Sequence, residues 1–292
     1  MASTSVLDNA LDAFVSRWSK VPGVSGIIVF GTYLTGKMGK YSDLDLVVVR
    51  TEDFPLESCV YVENDVLLNV SVVGLDEFHK ALNAGCLNSV RLALARCRIL
   101  YDADGRTART LQNLAPCTRS EVDKYSLTVL YRFLLQLGRG ENYFTLGETL
   151  DSLHYLFHAI EEAIRIALLR KGLPFDRDHF AAGLHVCPEL IAAISDILGK
   201  STYDLALVSQ LLERLKEEKE VLLESYKPVL LEYFPASPIA LSELKRMPVF
   251  SETDNILFAS YVEHGTLLKT GIEREVPGFP AQVVQEIGFV RA

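Results

Sequence analysis

One stretch near the N-terminus, Gly23 to Val49, constrains the fold of this chain more than any other. It reads GVSGIIVFGTYLTGKMGKYSDLDLVVV. The apolar run Ile27–Phe30 ends at Gly31, which predicts a buried strand followed by a sharp turn. A second apolar run follows Asp43. The stretch therefore predicts two core strands, the second of which opens with polar residues.

The polar residues of this stretch indicate a phosphate and metal site. Side chains two apart on a strand share a face, so Asp43 and Asp45 project together. Paired carboxylates repel unless a cation lies between them, and oxygen ligands suit Mg²⁺. Gly31 lets a ligand approach the backbone, and a helix starting at Thr32 would offer free N–H groups to a phosphate. The alternative, a surface turn with two solvated aspartates, explains poorly why both precede an apolar run.

The order Gly-Thr, ten residues, Asp-x-Asp resembles the signature of the nucleotidyltransferase superfamily, the polymerase-beta-like fold. The family usually has Gly-Ser, so Thr32 is a departure that keeps the hydroxyl. The run from Tyr41 to Val48 is also similar to the family's. The resemblance implies an α+β fold, with a mixed sheet and flanking helices followed by a helical domain, as in aminoglycoside-type nucleotidyltransferases.

The resemblance also implies roles for individual residues. Asp43 and Asp45 would be catalytic, hold Mg²⁺ and orient a triphosphate. Further contacts to the nucleotide would come from the residues around the turn: Gly31, Thr32, Lys37, Lys40 and Ser42. For the two lysines, a solvated surface position is the favoured alternative.

A third carboxylate, which the family usually places on a neighbouring strand, is replaced here by Asn69. An amide binds a metal through oxygen but carries no charge and is not a general base. Asp65 lies four residues away, on the order of 13 Å along a strand, and is too far to substitute. In drug-modifying relatives a helical domain supplies an acidic base, which implies Glu161 here, with His158 as second choice. The favoured alternative for Glu161 is a solvated flank with a Glu161–Arg165 ion pair.

The length of 292 residues predicts two domains. The resemblance implies that these are a nucleotidyltransferase domain over residues 1–118 and a helical domain over residues 119–292. Helical periodicity begins near Ser120 and is predicted to break at Gly138–Gly140. Further helices are predicted from Leu146 to Lys171 and from Tyr203 to Tyr226. The tail from 241 to 292 is less readable, with a predicted helix over 254–268 and a small closing element over 279–289.

Composition limits the classes of protein. A formal net charge of −9 disfavours a protein that coats nucleic acid. Five cysteines, an odd number with no close pairs and no Cys-x-x-Cys motif, predict reduced thiols and no zinc site. The absence of a leader-like start and of an apolar run of about 18 residues predicts a cytoplasmic protein without a membrane span.

The resulting prediction is Mg²⁺-dependent transfer of a nucleoside monophosphate from an NTP, with ATP as the predicted donor, to a hydroxyl or phosphate of a small molecule. Aminoglycoside-like or lincosamide-like acceptors rest on the resemblance alone. Because of Asn69, one alternative is a protein of the same fold that binds nucleotide or a partner without turnover. Others are an antitoxin-like partner protein and an RNA-directed transferase, which the charge disfavours. The oligomeric state stays open.

Overall fold

The computed structural model of the chain describes residues 4–36, 42–83, 91, 94, 96–114, 117–173, 179–199, 205–251, 255–276 and 279–292. It divides into two compact units, Met1–Cys117 and Thr118–Ala292, which are described separately below. Within the described ranges, no helix combines the length and the apolar character needed to cross a bilayer.

The first unit is built on a mixed sheet, which confirms the predicted fold class. Its elements in chain order are α1 (Thr4–Trp18), β1 (Val24–Phe30), a 3₁₀ turn (Gly31–Thr35), β2 (Leu44–Arg50), β3 (Glu57–Glu63), β4 (Val66–Gly74), α2 (Leu75–Asn83), β5 (Cys97–Asp102) and α3 (Arg106–Gln112). The five strands lie in the order β3-β4-β2-β1-β5. β2 and β4 are parallel, and the other neighbours are antiparallel.

The sheet is buried on both faces near its centre, which explains why β1 and β2 are almost continuously apolar. On one face, α1 packs Leu11 and Phe14 against strand residues such as Leu46. On the other face, Phe78 of α2 packs near Val47. The two layers fix which face each residue of β2 presents, because successive side chains point to opposite sides.

A tight hairpin joins β3 and β4. Asn64 and Asp65 at its turn have φ values of 48° and 62°. Positive φ at both central residues is typical of a type I′ turn, which matches the twist of the flanking strands. The turn sets the pairing of the hairpin, in which Val60 lies opposite Asn69 and Val62 opposite Leu67.

The second unit is mainly helical, as the resemblance implies. Its helices and strands in chain order are α4 (Arg119–Thr145), α5 (Thr149–Arg170), α6 (His179–Val186), α7 (Pro188–Leu198), α8 (Leu205–Leu231), β6 (Ile239–Ala240), α9 (Leu241–Leu244), α10 (Asn255–Glu263), β7 (Leu267–Val276) and β8 (Phe279–Arg291). α4 begins with a capping box, in which the side chain of Thr118 and that of Glu121 each bond the other's backbone N–H.

The predicted break at Gly138–Gly140 is wrong, because α4 continues through both glycines to Thr145. Packing explains the difference. A Cβ atom at Gly140 would lie 2.5 Å from Cδ2 of Leu156, so glycine lets α4 and α5 approach closely. Ser152 of α5 donates a hydrogen bond of 2.8 Å to the Gly140 carbonyl at this crossing. Tertiary contacts therefore outweigh the low helix propensity of glycine.

The sequence also predicts the tail incompletely. The helix expected over 254–268 is shorter, Asn255–Glu263, and the chain then enters β7. The closing element is the strand β8, which pairs with both β6 and β7 in a three-stranded antiparallel sheet. Because Gly265 has a φ of 75°, it ends the helix in the left-handed conformation typical of a C-terminal cap.

Replacing Phe14 with alanine tests the core between α1 and the sheet. Phe14 is fully buried and contacts Trp18 and Tyr61 at ring-centroid distances of 5.5 and 6.3 Å. We expect the free energy of unfolding to fall by about 3–5 kcal/mol. Trp18 is the only tryptophan, so its fluorescence during urea unfolding reports on this unit. Val6→Ala on the same helix, which is 38% exposed, is the control and should change stability by about 0.5 kcal/mol or less.

Candidate active site at the start of β2

Two carboxylates lie at the start of the central strand β2. Asp43 directly precedes the strand, Asp45 is its second residue, and both are half-buried. Leu44 and Leu46 are fully buried, so they anchor the strand in the core. The alternation turns Asp43 and Asp45 to the same side, as the sequence predicts.

Asn69 lies beside these carboxylates on the neighbouring parallel strand. The register pairs Asp45 with Asn69 directly. Nδ2 of Asn69 donates a hydrogen bond of 2.5 Å to Oδ2 of Asp43 and one of 3.2 Å to Oδ1 of Asp45. Asn69, at the position predicted for a third carboxylate, therefore lies beside Asp43 and Asp45. The group facing both carboxylates there is an amide donor.

Gly31 closes the other side of Asp45. Phe30, the last residue of β1, pairs with Asp45, and the chain then turns at Gly31 with a φ of 80°. A Cβ atom at Gly31 would lie only 2.6 Å from Oδ2 of Asp45. Glycine is therefore required twice at this position, for the left-handed backbone and for the close approach of the carboxylate.

The segment that begins at Gly31 is a short 3₁₀ turn, Gly31–Thr35, where the sequence also allows a helix starting at Thr32. Thr32 and Ser42 lie at the two ends of the connection to β2, and both are half-buried. Lys37 and Lys40, the two predicted cationic contacts, lie outside the described residues.

Tyr33 anchors this turn and is a residue that sequence reasoning missed. Its hydroxyl donates a hydrogen bond of 2.5 Å to Asp8 of α1 and accepts one of 3.1 Å from Arg98 of β5. The guanidinium of Arg98 also lies 5.3 Å from the centroid of the Tyr33 ring. Burial, followed by the hydrogen bond to Asp8, raises the pKa of Tyr33. The partners lie 25 and 65 residues away, so no local pattern indicates them.

Glu161, the predicted base, belongs to α5 of the second unit. Its Oε2 atom lies 2.9 Å from Nδ1 of His158, and the rings of His154 and His158 are 4.7 Å apart. Arg165 of the same helix forms an ion pair of 2.5 Å with the buried Glu162. The role of Glu161 as a base stays a prediction.

The donor set at the start of β2 fits Mg²⁺ in its chemistry. Asp43 and Asp45 converge on one atom, Nδ2 of Asn69, so a cation at the same side would contact both. Mg²⁺ is commonly held by one or two carboxylates and takes its remaining ligands from water and phosphate. Across the described part of the chain, no group of three or more His, Cys, Asp or Glu side chains is placed to hold a metal. If the site holds Mg²⁺, Asp43 and Asp45 are the two residues that could supply its carboxylate ligands.

Comparisons with known proteins show what the N-terminal unit and the fold are similar to. Residues 7–85 match the family model described as a nucleotidyltransferase domain, a range that includes the 3₁₀ turn, both carboxylates and Asn69. The fold is similar to the crystal structure of a nucleotidyltransferase-like protein from Exiguobacterium sibiricum 255-15. That structure is 17% identical, with a TM-score of 0.62 over 98% of this chain and 99% of the other. No curated relative matches the chain by sequence.

Alanine at Gly31 tests the contact between the turn and Asp45. We expect Gly31→Ala to lower stability by roughly 1–2 kcal/mol because of its positive φ, and to displace the Asp45 carboxylate. The control is Gly36→Ala, since Gly36 has a φ of 70° but nothing within 4 Å of an added Cβ.

Two measurements separate these effects. Urea unfolding followed by Trp18 fluorescence should show a loss of stability in both variants. Calorimetric titration with Mg²⁺ and ATP should show weakened binding in Gly31→Ala only. Equal binding by both variants would contradict a role for the Gly31–Asp45 contact in the site.

Proposed function

The chain belongs to the nucleotidyltransferase superfamily through its N-terminal unit, and on this premise we propose that it transfers a nucleoside monophosphate to a small molecule. The donor is an NTP, with ATP as the first candidate, and the reaction depends on Mg²⁺. The acceptor offers a hydroxyl or a phosphate oxygen.

The observation that carries this proposal is that Asp43, Asp45 and Gly31 lie close together where β1 ends and β2 begins. Gly31 leaves no side chain between the backbone turn and the Asp45 carboxylate. A triphosphate bound along the turn would therefore have its phosphates beside both carboxylates. Thr32 and Ser42 flank this space and offer hydroxyl groups to the phosphate oxygens.

Asp43 and Asp45 are the residues that would hold Mg²⁺. When bound, the ion would neutralise part of the phosphate charge and polarise the phosphoryl oxygens. In this role the two carboxylates also orient the triphosphate. Lys37 and Lys40 are proposed as additional phosphate contacts.

The proposed reaction is an in-line displacement at the α-phosphorus. The acceptor oxygen forms a bond to the α-phosphorus, and the bond from the α-phosphorus to the bridging oxygen breaks. Diphosphate leaves with the bonding electron pair, and the acceptor proton passes to a general base. Asn69 cannot accept this proton, so Glu161 is the proposed base and His158 the second candidate.

Removing both carboxylates tests the nucleotide site. We expect the native protein to bind ATP in isothermal titration calorimetry only when Mg²⁺ is present. In the variant with Asp43→Asn and Asp45→Asn, affinity should fall by at least about tenfold, or about 1.4 kcal/mol. The reason is that amide side chains add no negative charge to balance the ion.

The matched control replaces two exposed aspartates of the same unit, with Asp53→Asn and Asp65→Asn. It changes the net charge equally and leaves the site intact, so its affinity should equal that of the native protein. If none of the four NTPs binds to the native protein with Mg²⁺, the proposed function is wrong.

A second candidate function is nucleotide or partner binding without turnover. The observation that favours it is the hydrogen bonding of Asn69, whose amide occupies the position where the family places a third carboxylate. The amide joins the two aspartates without a metal and offers no base. Label transfer from α-labelled ATP distinguishes the two functions, because a binding protein would retain the nucleotide unchanged.

Asn69→Asp tests how the amide affects the site. The substitution removes two hydrogen bonds to carboxylates and adds a like charge. In EDTA, we therefore expect the variant to be less stable than the native protein by about 1–2 kcal/mol. Saturating Mg²⁺ should reverse this loss of stability, and it should raise the melting temperature more in the variant than in the native protein. Differential scanning calorimetry with EDTA or with Mg²⁺ measures both effects.

The control is Ser71→Asp, which adds a carboxylate on the same strand and face, opposite Val47. It should show no added Mg²⁺ response. A Mg²⁺ response of Asn69→Asp no larger than that of the native protein would show that position 69 does not face the ion.

A further inference from the structure

Three large apolar side chains are exposed on the β3–β4 hairpin. Val60 and Val62 of β3 are 66% and 68% exposed, and Leu67 of β4 is 49% exposed. We call these three residues the apolar platform. β3 is one of the two edge strands of the sheet. Exposed apolar residues on an edge strand favour aggregation, and proteins usually place charged residues there, so the platform calls for a functional explanation.

Strand register connects the platform to the candidate active site. Val60 pairs with Asn69 across the hairpin, and Asn69 pairs with Asp45 across the next pair of strands. Directly paired residues project from the same face, so Val60, Asn69 and Asp45 form one row. Neighbouring strands are about 4.8 Å apart, which places Val60 about 10 Å from Asp45. A small molecule could therefore contact both.

The remainder of this face is covered. Phe78 and Leu82 of α2 pack over Val47, Val49 and Val73 and bury them. In the described part of the chain, no such cover lies over the platform, and Val60, Val62 and Leu67 stay exposed. This open area extends along β3, in the same row as the half-buried Asn69 and Asp45.

The side of β2 on which the open area lies indicates which of the two substrates would contact it. Gly31 lies at the end of β1, on one side of β2, whereas Asn69 and the platform lie on the other side. In an in-line displacement, the attacking and leaving oxygens lie on opposite sides of the phosphorus. On the proposed function, the leaving diphosphate lies beside Gly31, so the acceptor approaches from the side of β4 and β3.

We propose that the apolar platform binds the body of the acceptor, and that the acceptor is a neutral hydroxyl compound with an aryl or alkyl surface. This inference rests on the proposed function. The hydroxyl oxygen lies at the carboxylates and forms the bond to the α-phosphorus as diphosphate leaves with the electron pair. Its proton passes to the base, and the apolar part lies on Val60, Val62 and Leu67.

The chemistry of the hairpin face supports a neutral acceptor. Between the two ends of β3, the residues that share the face with Val60 and Val62 are uncharged. Ser58 and Ser71 border the platform and lie 3.3 Å apart, Oγ to Oγ. Glu63 projects from the opposite face and forms an ion pair with Arg17 of α1. A polycationic acceptor, such as an aminoglycoside, would find no carboxylate on the platform to balance its charge.

The test uses two small hydroxyl compounds as probes, 2-phenylethanol and the cationic amino sugar glucosamine. Their dissociation constants are measured by saturation-transfer NMR with Mg²⁺ and α,β-methylene-ATP, which cannot release diphosphate. The native protein should bind 2-phenylethanol more tightly than glucosamine. In the variant Val60→Thr, Val62→Thr, Leu67→Gln, binding of 2-phenylethanol should weaken by roughly tenfold, because contacts equivalent to one or two methylene groups are lost.

Threonine keeps the β-branched shape of valine and favours a strand, so the variant should remain folded. The control is Val221→Thr on α8, a valine that is 57% exposed. It should bind 2-phenylethanol as the native protein does. ATP affinity with Mg²⁺ should be the same in all three proteins.

Several outcomes would overturn the inference. Equal binding of 2-phenylethanol by the native protein and the platform variant would remove the platform from the acceptor site. Loss of ATP affinity in the platform variant would assign the platform to the nucleobase. A dimer in analytical ultracentrifugation that the variant abolishes would assign it to a second copy of the chain. A native protein that binds the alcohol but no NTP would contradict the proposed function and, with it, the inference. A native protein that binds ATP while the platform variant binds the alcohol equally well would contradict the inference alone.

Discussion

Two carboxylates at the start of one strand repel each other, and the amide of Asn69 joins them in this protein. Its Nδ2 atom lies 2.5 Å from Asp43 and 3.2 Å from Asp45. The contact requires β2 and β4 to be parallel and in this register, because a shift of one residue would turn Asn69 to the opposite face. That register is fixed by the apolar residues that β2 and β4 bury against α1 and α2. The geometry of the site therefore depends on the packing of the whole first unit.

The order of the strands gives the site two chemically different sides. β2 is central, and its apolar residues are buried on both faces, so the carboxylates stand on a rigid element. On the side of β1, the glycine turn offers backbone and hydroxyl groups that suit phosphates. On the side of β4 and β3, the same face becomes apolar at Val60. A reaction that transfers a nucleoside monophosphate from a polar triphosphate to a less polar acceptor, with release of diphosphate, would use both sides, and the sheet keeps them apart.

The sequence predicted the parts of this site that are local. The spacing from Gly31 to Asp45 is short, strand alternation fixes the common face of the carboxylates, and both follow from pattern alone. The bonds of Tyr33 to Asp8 and Arg98 could not be predicted, because they join distant segments through the sheet order. The predicted helix break at Gly138–Gly140 is wrong for a related reason, which Gly140 illustrates. Its low helix propensity is a local signal, whereas the close contact of two helices that it permits is visible only in the packed structure.

The replacement of a carboxylate by Asn69 has one consequence for ion binding and another for proton transfer. Three adjacent carboxylates would repel strongly without a metal, whereas two carboxylates and an amide are already balanced by hydrogen bonds. Because the site carries one negative charge fewer than three carboxylates would, it attracts a cation less strongly. Phosphate oxygens of an NTP would supply the missing anionic ligands, so the nucleotide and Mg²⁺ should bind together. Proton removal, in contrast, gains nothing from the nucleotide, and on the proposed function it requires a base outside β4, which is the role assigned to Glu161.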